Sequence, residues 1–165
     1  MNPELKTQFE LLYQAHYRMV LQLCLGFVKG DSDQAKDLTQ EVFIQVWNNL
    51  SKFRQDATPK TWIYRITVNT CLNFLKKQKN KDQKLGEILR DQETTEEINF
   101  TETDPSKMLF EAMAHLSEID RLVTGLLLED VPQEEIATIL GISDGNLRVK
   151  IHRIKLRLKK LISYE

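Results

Sequence analysis

The sequence predicts an all-α fold made of two small helical domains that are joined by an acidic linker. Apolar residues recur at spacings of three and four through most of the chain, which is the period of a helix face. The period-two alternation of a half-buried strand occurs nowhere in the sequence. Residues 79–106 instead show weak periodicity and carry eight acidic residues against four basic ones. We therefore expect domains at 1–78 and 107–165, separated by a linker at 79–106 that could contain a helical turn at 85–90.

The composition is that of an ordinary globular protein, because 41% of the 165 residues are hydrophobic, 28% are charged and the formal net charge is −1. A chain so close to neutral is not a generic polycation, so nucleic-acid affinity would have to come from local basic surfaces. The N-terminus lacks the apolar core of a signal peptide, and no apolar run approaches the ~20 residues that span a membrane. These features predict a cytoplasmic protein.

Two long helices open the first domain. The first should run from about Lys6 to Val28, because its apolar residues keep helical spacing, and should end at Gly30. Ser32 or Asp33 can cap the second helix, which should run to about Asn49.

A third helix completes the predicted first domain, which we expect to hold three or four helices. It should follow a loop at 51–60, begin at Pro59 or Thr61 and end near Lys77. The predicted buried side carries Ile63, Ile66, Thr70 and Phe74, and the opposite side carries Arg65, Asn69, Asn73 and Lys76.

The second domain begins with an apolar stripe at 109–116. Ser117 is a good N-cap for a helix over 119–128. Pro132 suits the first turn of the next helix, at 133–140, because its ring fixes a helical φ and the first turn needs no N–H donor there.

The last helix is strongly basic on one side. Gly141 provides a turn of the length found in helix-turn-helix motifs, and Ser143 can cap the helix that follows. An apolar stripe comprises Leu147, Ile151, Ile154 and Leu158; the cations are Arg148, Lys150, Arg153, Lys155, Arg157, Lys159 and Lys160. A helix anchored on one side and cationic on the other suits a DNA major groove. The alternative is a solvated basic face.

The first domain has a second nucleic-acid signal. The third helix combines Trp62, Tyr64 and Phe74 with amide and basic residues, and rings that stack on bases beside cations that meet phosphates can hold single strands. The preceding loop could form a pocket for an extruded base. A purely structural alternative stays open, in which Trp62 belongs to the core and the basic tail is a solvated helix end.

No catalytic or metal site is predicted. The three histidines have no suitably spaced partners, and Glu134 with Glu135 fits the first turn of a helix, where acids favour the dipole. Cys24 and Cys71 lie in apolar helical patterns without metal-ligand spacing, which predicts two buried thiols and no cofactor. We expect a protein that is not an enzyme.

Three motifs resemble one known family. They are DLTQEVFIQVW at 37–47, FRQDATPKTWIYRITVNTCLNFLKKQK at 53–79 and EEIATILGISDGNLRVKIHRIKLRLKK at 134–160. In this order they resemble the signatures of bacterial RNA polymerase sigma factors, in the extracytoplasmic-function (ECF) group of the sigma-70 family. The resemblance covers nearly the whole chain.

The resemblance implies three binding surfaces. The surface that docks on the β′ clamp helices of core RNA polymerase would comprise Asp37, Gln40, Glu41, Phe43 and Trp47. The surface that captures a flipped base and melts the minus-10 element would comprise Lys52, Phe53, Arg54, Thr61, Trp62, Arg65, Asn69, Asn73 and Lys76. The surface that recognises minus-35 duplex would comprise Ser143, Asp144, Asn146, Arg148, Val149, Lys150, His152 and Arg153.

Further partners follow from the same resemblance. Residues 109–128 match helices that hold the β-subunit flap, and the acidic linker is similar to a segment threaded toward the polymerase active centre. Members of the family often pair with an anti-sigma factor. The implied partners are therefore core polymerase, promoter DNA and an anti-sigma factor, with no small-molecule substrate.

Four positions depart from the family pattern. Asn73 stands where Asp is usual, Asn146 replaces Thr, Val149 replaces Ser, and Pro132 stands where Ser is frequent. The changes at 146 and 149 fall among the residues nearest the start of the basic helix, so they would alter promoter choice.

The function implied is promoter-specific transcription initiation: recognition of minus-35 DNA together with recognition and melting of minus-10 DNA. Residues 107–165 alone would equally suit a stand-alone helix-turn-helix regulator, but that reading leaves the motif at 37–47 unused. A protein-binding adaptor with a solvated basic helix is the remaining alternative.

Overall fold

The computed structural model describes residues 2–54, 56–86 and 105–162, with side chains described up to Lys81 and from Lys107. This part of the chain is helical and contains no strand, which confirms the all-α prediction. The first domain holds α1 (Pro3–Phe27), α2 (Ser32–Asn49) and α3 (Pro59–Gly86), with a short 3-10 turn at Leu50–Lys52. The second holds α4 (Pro105–Met113), α5 (Glu118–Leu128), α6 (Gln133–Leu140) and α7 (Asp144–Ile162).

Side-chain caps fix where the first two helices begin. The Asn2 side chain accepts from the Glu4 amide at 3.0 Å, so α1 starts a turn before the predicted Lys6. Asp31, rather than Ser32 or Asp33, caps α2 by accepting from the Gln34 amide at 3.1 Å. Both caps satisfy amides that have no partner inside the helix.

The third helix is longer than predicted. It continues to Gly86 instead of ending near Lys77, so it enters the interval assigned to the linker. The added residues are mostly Lys, Gln and Asp with no proline, and Lys and Gln favour a helix. Apolar periodicity could not predict this extension, because residues 76–81 are exposed and pack against no core. The helical turn predicted at 85–90 lies mostly outside the described residues.

The predicted signals of the second domain are confirmed. Ser117 caps α5 by accepting from the Asp120 amide at 3.3 Å, and Pro132 precedes α6. Gly141 adopts the left-handed conformation, with φ of 69°, that ends α6 and starts the turn. Ser143 then accepts from the Asn146 amide at 3.1 Å and begins α7.

The two domains pack against each other, α1 against α5 and α3 against α6. Arg121 of α5 is 6% exposed; its Nε donates to the Phe27 carbonyl at 2.8 Å, and its Nη1 donates to the Leu116 carbonyl at 2.6 Å. Burial lowers the pKa of Arg121, although nearby Glu118 opposes this. A Cβ at Gly125 would lie 2.5 Å from Leu23 Cδ1, so a glycine permits the close approach of α5 to α1.

Both cysteines are buried in the first domain, as predicted. Contact with Cys24 and burial raise the pKa of Cys71 well above its ordinary value. Among the described residues, no group of three or more His, Cys, Asp or Glu could hold a metal ion. Within the same residues, no helix is long and apolar enough to cross a membrane.

Candidate nucleic-acid and partner interfaces

An aromatic groove of about 500 Å³ lies between α1 and α2. It is lined by Phe9, Tyr13, Tyr17, Lys36, Asp37, Gln40, Phe43, Ile44 and Trp47. Three of its apolar side chains are unusually exposed, Tyr13 at 41%, Ile44 at 49% and Trp47 at 37%. Large apolar side chains that cluster on a surface mark binding sites more often than isolated ones do.

The groove includes four of the five residues predicted to bind polymerase. Asp37, Gln40, Phe43 and Trp47 line it, whereas Glu41 lies on the α3 side of α2. Phe43 is only 3% exposed and packs edge-on against Tyr13, with ring centroids 4.8 Å apart. It therefore supports the groove from below and offers little surface of its own.

The α1 wall of the groove was missed by sequence reasoning. Phe9, Tyr13 and Tyr17 follow one another at four-residue spacing, which places three rings on one face of α1. Phe9 packs against Trp47 with ring centroids 5.3 Å apart. The regular aromatic spacing was a usable signal, but periodicity alone cannot separate a groove wall from a buried core face.

The loop before α3 carries the predicted base-capture residues. Lys52 and Arg54 are exposed, and Phe53 packs on half-buried Trp62 with ring centroids 4.6 Å apart. Thr61 lies one turn into the helix and is half-buried. The Trp62 ring therefore packs against Phe53, and part of its surface remains accessible to solvent.

Tyr64 does not belong to the accessible face of α3. It is 1% exposed, and its hydroxyl has no hydrogen-bond partner. Burial raises its pKa, and nearby Glu129 and Glu135 raise it further. The sequence-based grouping of Tyr64 with stacking aromatics is therefore wrong, because this ring is part of the core.

The polar side of α3 is exposed as predicted. Arg65, Asn69, Asn73 and Lys76 all face solvent. A second groove, of about 750 Å³, separates this helix from α2. It is lined by Gln34, Asp37, Leu38, Glu41, Gln45, Asn49, Ile66, Asn69, Thr70, Asn73, Phe74, Lys76 and Lys77.

Helix α7 buries its apolar stripe and exposes its cations. Leu147, Ile151 and Ile154 are 4% exposed or less, so the orientation of the helix is fixed by the core. The exposed residues of the predicted minus-35 surface are Ser143, Asp144, Asn146, Arg148, Val149, His152 and Arg153, and the cations Lys155, Arg157, Lys159 and Lys160 are exposed as well. Val149 is 51% exposed, so its side chain is available to a partner.

Two cations of α7 make contacts inside the second domain. Lys150 Nζ lies 2.9 Å from Asp120 Oδ1, and Arg157 donates to the His115 carbonyl at 3.1 Å. These contacts tie α7 to α5 and to the end of α4. Arg157 stays exposed despite this contact, whereas Arg153 and Lys155 are exposed and make no hydrogen bond or ion pair within the described residues, which makes them the better candidates for phosphate binding.

The two candidate DNA-binding regions are close together. The Thr61 hydroxyl donates to Glu135 Oε2 at 3.2 Å, which joins the start of α3 to α6. Helix α6 leads through the turn at Gly141 directly into α7. The structure therefore holds both regions on one compact body.

Two family matches cover the two domains. Residues 12–81 match the family described as Sigma-70 region 2, and residues 106–158 match Sigma-70 region 4. The boundary between the matches falls in the interval that separates α3 from α4.

Relatives of similar length match over nearly the whole chain. An RNA polymerase sigma-H factor from Pseudomonas aeruginosa is 30% identical, with 95% of this chain and 87% of that protein aligned. An ECF RNA polymerase sigma-E factor from Haemophilus influenzae is 29% identical, with 91% and 85% aligned. Among solved structures, the sigma factor RpoE bound to the anti-sigma factor NepR from Bartonella quintana superimposes with a TM-score of 0.73 at 18% identity, covering 99% of both chains.

Proposed function

The chain belongs to the sigma-70 family of RNA polymerase sigma factors, in its ECF group, and we propose that it directs core polymerase to promoters through three surfaces. The aromatic groove binds polymerase, α3 with its preceding loop holds the melted minus-10 strand, and α7 recognises minus-35 duplex. The protein has no catalysis of its own in this role. It acts in the cytoplasm, where polymerase and promoter DNA are found.

The exposed aromatic groove is the observation that carries this proposal. A stand-alone regulator needs α7 but has no use for exposed Tyr13, Ile44 and Trp47 on the opposite domain. Aromatic residues in a pocket are the usual energetic centres of protein interfaces. Lys36 and Asp37 both line the groove, so its aromatic residues rather than a net charge would anchor the partner.

Recognition of minus-35 DNA would use the exposed start of α7. Asn146 can pair with adenine and Arg148 with guanine, while Val149 offers an apolar contact. Arg153 and Lys155 would bind phosphates, which give affinity without sequence information. The buried stripe of α7 holds these side chains in a fixed register.

Recognition of the minus-10 strand would use Trp62 and the polar side of α3. The ring pair of Phe53 and Trp62 forms an apolar surface at the start of the helix, next to exposed Lys52 and Arg54. Stacking on a ring and contact with cations together suit an unpaired strand.

The packed arrangement cannot hold both promoter elements at once. Elements named minus-35 and minus-10 lie about 25 base pairs apart, or ~85 Å at ~3.4 Å each. From the Thr61–Glu135 contact, α6 and its turn put the start of α7 within roughly 30 Å of the start of α3. The domains therefore have to separate on the promoter, at the cost of the Arg121 contacts with α1.

The proposal is tested by transcription in vitro with core polymerase and a promoter library. The wild-type protein should start transcripts on a subset of promoters, and Trp47→Ala should weaken binding to core polymerase by tenfold or more, in the range of an interface anchor (about 2 kcal/mol). Leu11→Ala is the matched control, because Leu11 is 63% exposed on α1 outside the groove.

Two results would contradict the proposal. Failure of the wild-type protein to bind core polymerase or to start any transcript would remove it. Specific binding to duplex DNA with no effect on polymerase would favour the stand-alone regulator.

An anti-sigma factor is a further proposed partner. The superimposed Bartonella sigma factor is described in complex with one, and the likeness extends over both domains. Co-purification from cells that express the tagged chain at native level would identify such a partner by mass spectrometry.

A further inference from the structure

The groove between α2 and α3 is a candidate binding site. Some of its lining residues belong to the three proposed surfaces, but the groove itself has no role in them. We propose that it binds an unpaired nucleobase of the melted promoter strand through the exocyclic amino group of that base, as in adenine or cytosine. This inference rests on the proposed function and adds a second base-recognition site beside the loop at 51–60. It is the second groove described above, and we call it the acceptor groove.

One wall of the acceptor groove is a ladder along α2. Asp37, Glu41, Gln45 and Asn49 follow one another at four-residue spacing, so they lie above each other on one face. The ladder changes from carboxylates to carboxamides toward the end of α2. Because α2 leads through a short connection into α3, its carboxamide end lies nearest the loop at 51–60.

The hydrogen bonds of the ladder leave acceptors free. Gln45 Nε2 donates to Glu41 Oε1 at 3.4 Å, and Asn49 Nδ2 donates to the backbone carbonyl of Gln45 at 2.8 Å. A carboxylate or a carbonyl can only accept, so the amide nitrogens must be the atoms engaged. Gln45 Oε1, Asn49 Oδ1 and the carboxylate oxygens of Asp37 remain to accept hydrogen bonds, and Gln45 and Asn49 each keep one N–H, so acceptors outnumber donors on this wall.

An acceptor-rich wall selects a ligand that donates. Among bases, the exocyclic amino groups of adenine and cytosine donate, and carboxylates are known to accept from the latter. The same wall repels phosphate, so the base and not the backbone would enter. Cationic Lys76 and Lys77 stand on the opposite wall, where the phosphates of the strand could lie.

The rest of the groove favours a flat base over a basic protein side chain. Half-buried Ile66 and Phe74 give it an apolar lining that a ring can cover. Asn69 and Asn73 face it from α3, and both belong to the surface proposed for the minus-10 strand. A base entering here would thus come from a strand already held on the same helix.

The test uses holoenzyme, assembled from core polymerase and the full chain, and a preopened bubble of a promoter selected by the wild type from a random library. Each unpaired adenine is replaced in turn by purine deoxyriboside, and each cytosine by pyrimidin-2-one deoxyriboside, which remove only the amino group. Because the bubble has no base pairs to lose, the change in affinity reports on protein contact alone.

We expect one position at which loss of the amino group weakens wild-type binding about fivefold, the range of one hydrogen bond. For the Gln45→Ala variant, removing the amino group at that position should no longer weaken binding. The effects of the replacements at all other positions should equal those measured with the wild type. Gln14→Ala is the matched control, because it removes an exposed amide of α1 that lies outside both grooves. Equal thermal unfolding of both variants would establish that Gln45→Ala still folds.

Other outcomes overturn the inference in distinct ways. Equal sensitivity of wild type and Gln45→Ala at every position removes the acceptor groove as a base site but leaves the proposed function. Weaker binding of Gln45→Ala to core polymerase without DNA would assign the groove to a basic polymerase side chain. Failure of the wild type to select any promoter removes the proposed function and this inference together.

Discussion

Helices α3 and α7 both face the proposed promoter, but they present different chemistry. The start of α7 is a fully exposed row of amide, cationic and apolar side chains, held by a buried stripe on its other side. Helix α3 combines half-buried Trp62 with an amide-lined groove, and its cations lie mostly toward its C-terminal end. Recognition of duplex DNA suits a projecting helix, whereas recognition of an unpaired strand suits ring surfaces and recesses.

The difference also separates folding from binding. Side chains of α7 that would meet DNA project from the core, so replacing them should leave the fold intact. On α3 the same rings that would meet a strand also pack against the domain, so binding and stability are coupled there.

Trp62→Ala should lower both stability and promoter melting. Loss of the half-buried ring and its packing on Phe53 should cost about 2 kcal/mol of unfolding free energy. Chemical denaturation measures this, and permanganate footprinting of the holoenzyme complex measures melting. The matched change on α7, Leu156→Ala, removes a side chain that is 50% exposed and should alter unfolding by less than about 0.5 kcal/mol. A Trp62→Ala protein of wild-type stability would remove the proposed coupling.

Arg148→Ala should weaken promoter binding by about 2 kcal/mol, and only on promoters that keep the preferred minus-35 base. Lys155→Ala should weaken binding uniformly across sequences and reduce the slope of log affinity against log salt by about 1. Fluorescence anisotropy with matched and mutated minus-35 DNA distinguishes the two. A uniform loss with Arg148→Ala would reassign this arginine to a phosphate.

Val149 should recognise a thymine methyl group, because it exposes 51% of its surface beside Asn146 and Arg148. Replacing one minus-35 thymine by deoxyuridine removes only that methyl and should cost wild-type binding about 0.8 kcal/mol, the value of one CH₂ group. For the Val149→Ala variant, the same replacement should cause almost no further loss of binding free energy. If no thymine in the element shows this dependence, the valine does not contribute to base recognition.

Lys60→Met should raise the pKa of His16. Burial lowers this pKa from 6.5, and the charge of Lys60 lowers it further. The folded protein disfavours the charged imidazole. The contribution of His16 to the free energy of unfolding is therefore fully present above about pH 6.5, and it decreases as the pH falls from there toward the folded pKa. Removing Lys60 should therefore lessen this loss at mildly acidic pH. NMR titration of the His16 ring measures the pKa, and an unchanged value would exclude Lys60 as a cause.

Local signals in the sequence predicted most of the fold. Ser117, Pro132, Gly141 and Ser143 each act on the backbone within a few residues, so their roles in starting or ending a helix did not depend on the rest of the molecule. The end of α3 was missed because no apolar pattern extends beyond Lys77. Helix propensity and the absence of proline carry the helix further without any packing signal.

The exposed residues of α7 were predicted correctly from the sequence, whereas one aromatic residue of α3 was not. Exposed Arg148 and Asn146 could be inferred from helical spacing, since the buried stripe of α7 fixes the opposite face. Tyr64 was grouped with accessible rings, but the α6 side of the interface buries it near Glu135. A contact between segments so distant in sequence leaves no periodic signal in either one.

The sequence by itself determined the order of the helices, the caps of α5 and α7, the exposed face of α7 and the family, because these depend on local spacing and on motifs. Only the tertiary structure decided that Phe9, Tyr13 and Tyr17 complete an aromatic groove with α2, and that Gln45 and Asn49 face Asn69 across a second one. It also decided that buried Arg121 joins α5 to the end of α1. The physical reason is that grooves and interdomain contacts arise from the distances between helices, which long-range packing sets.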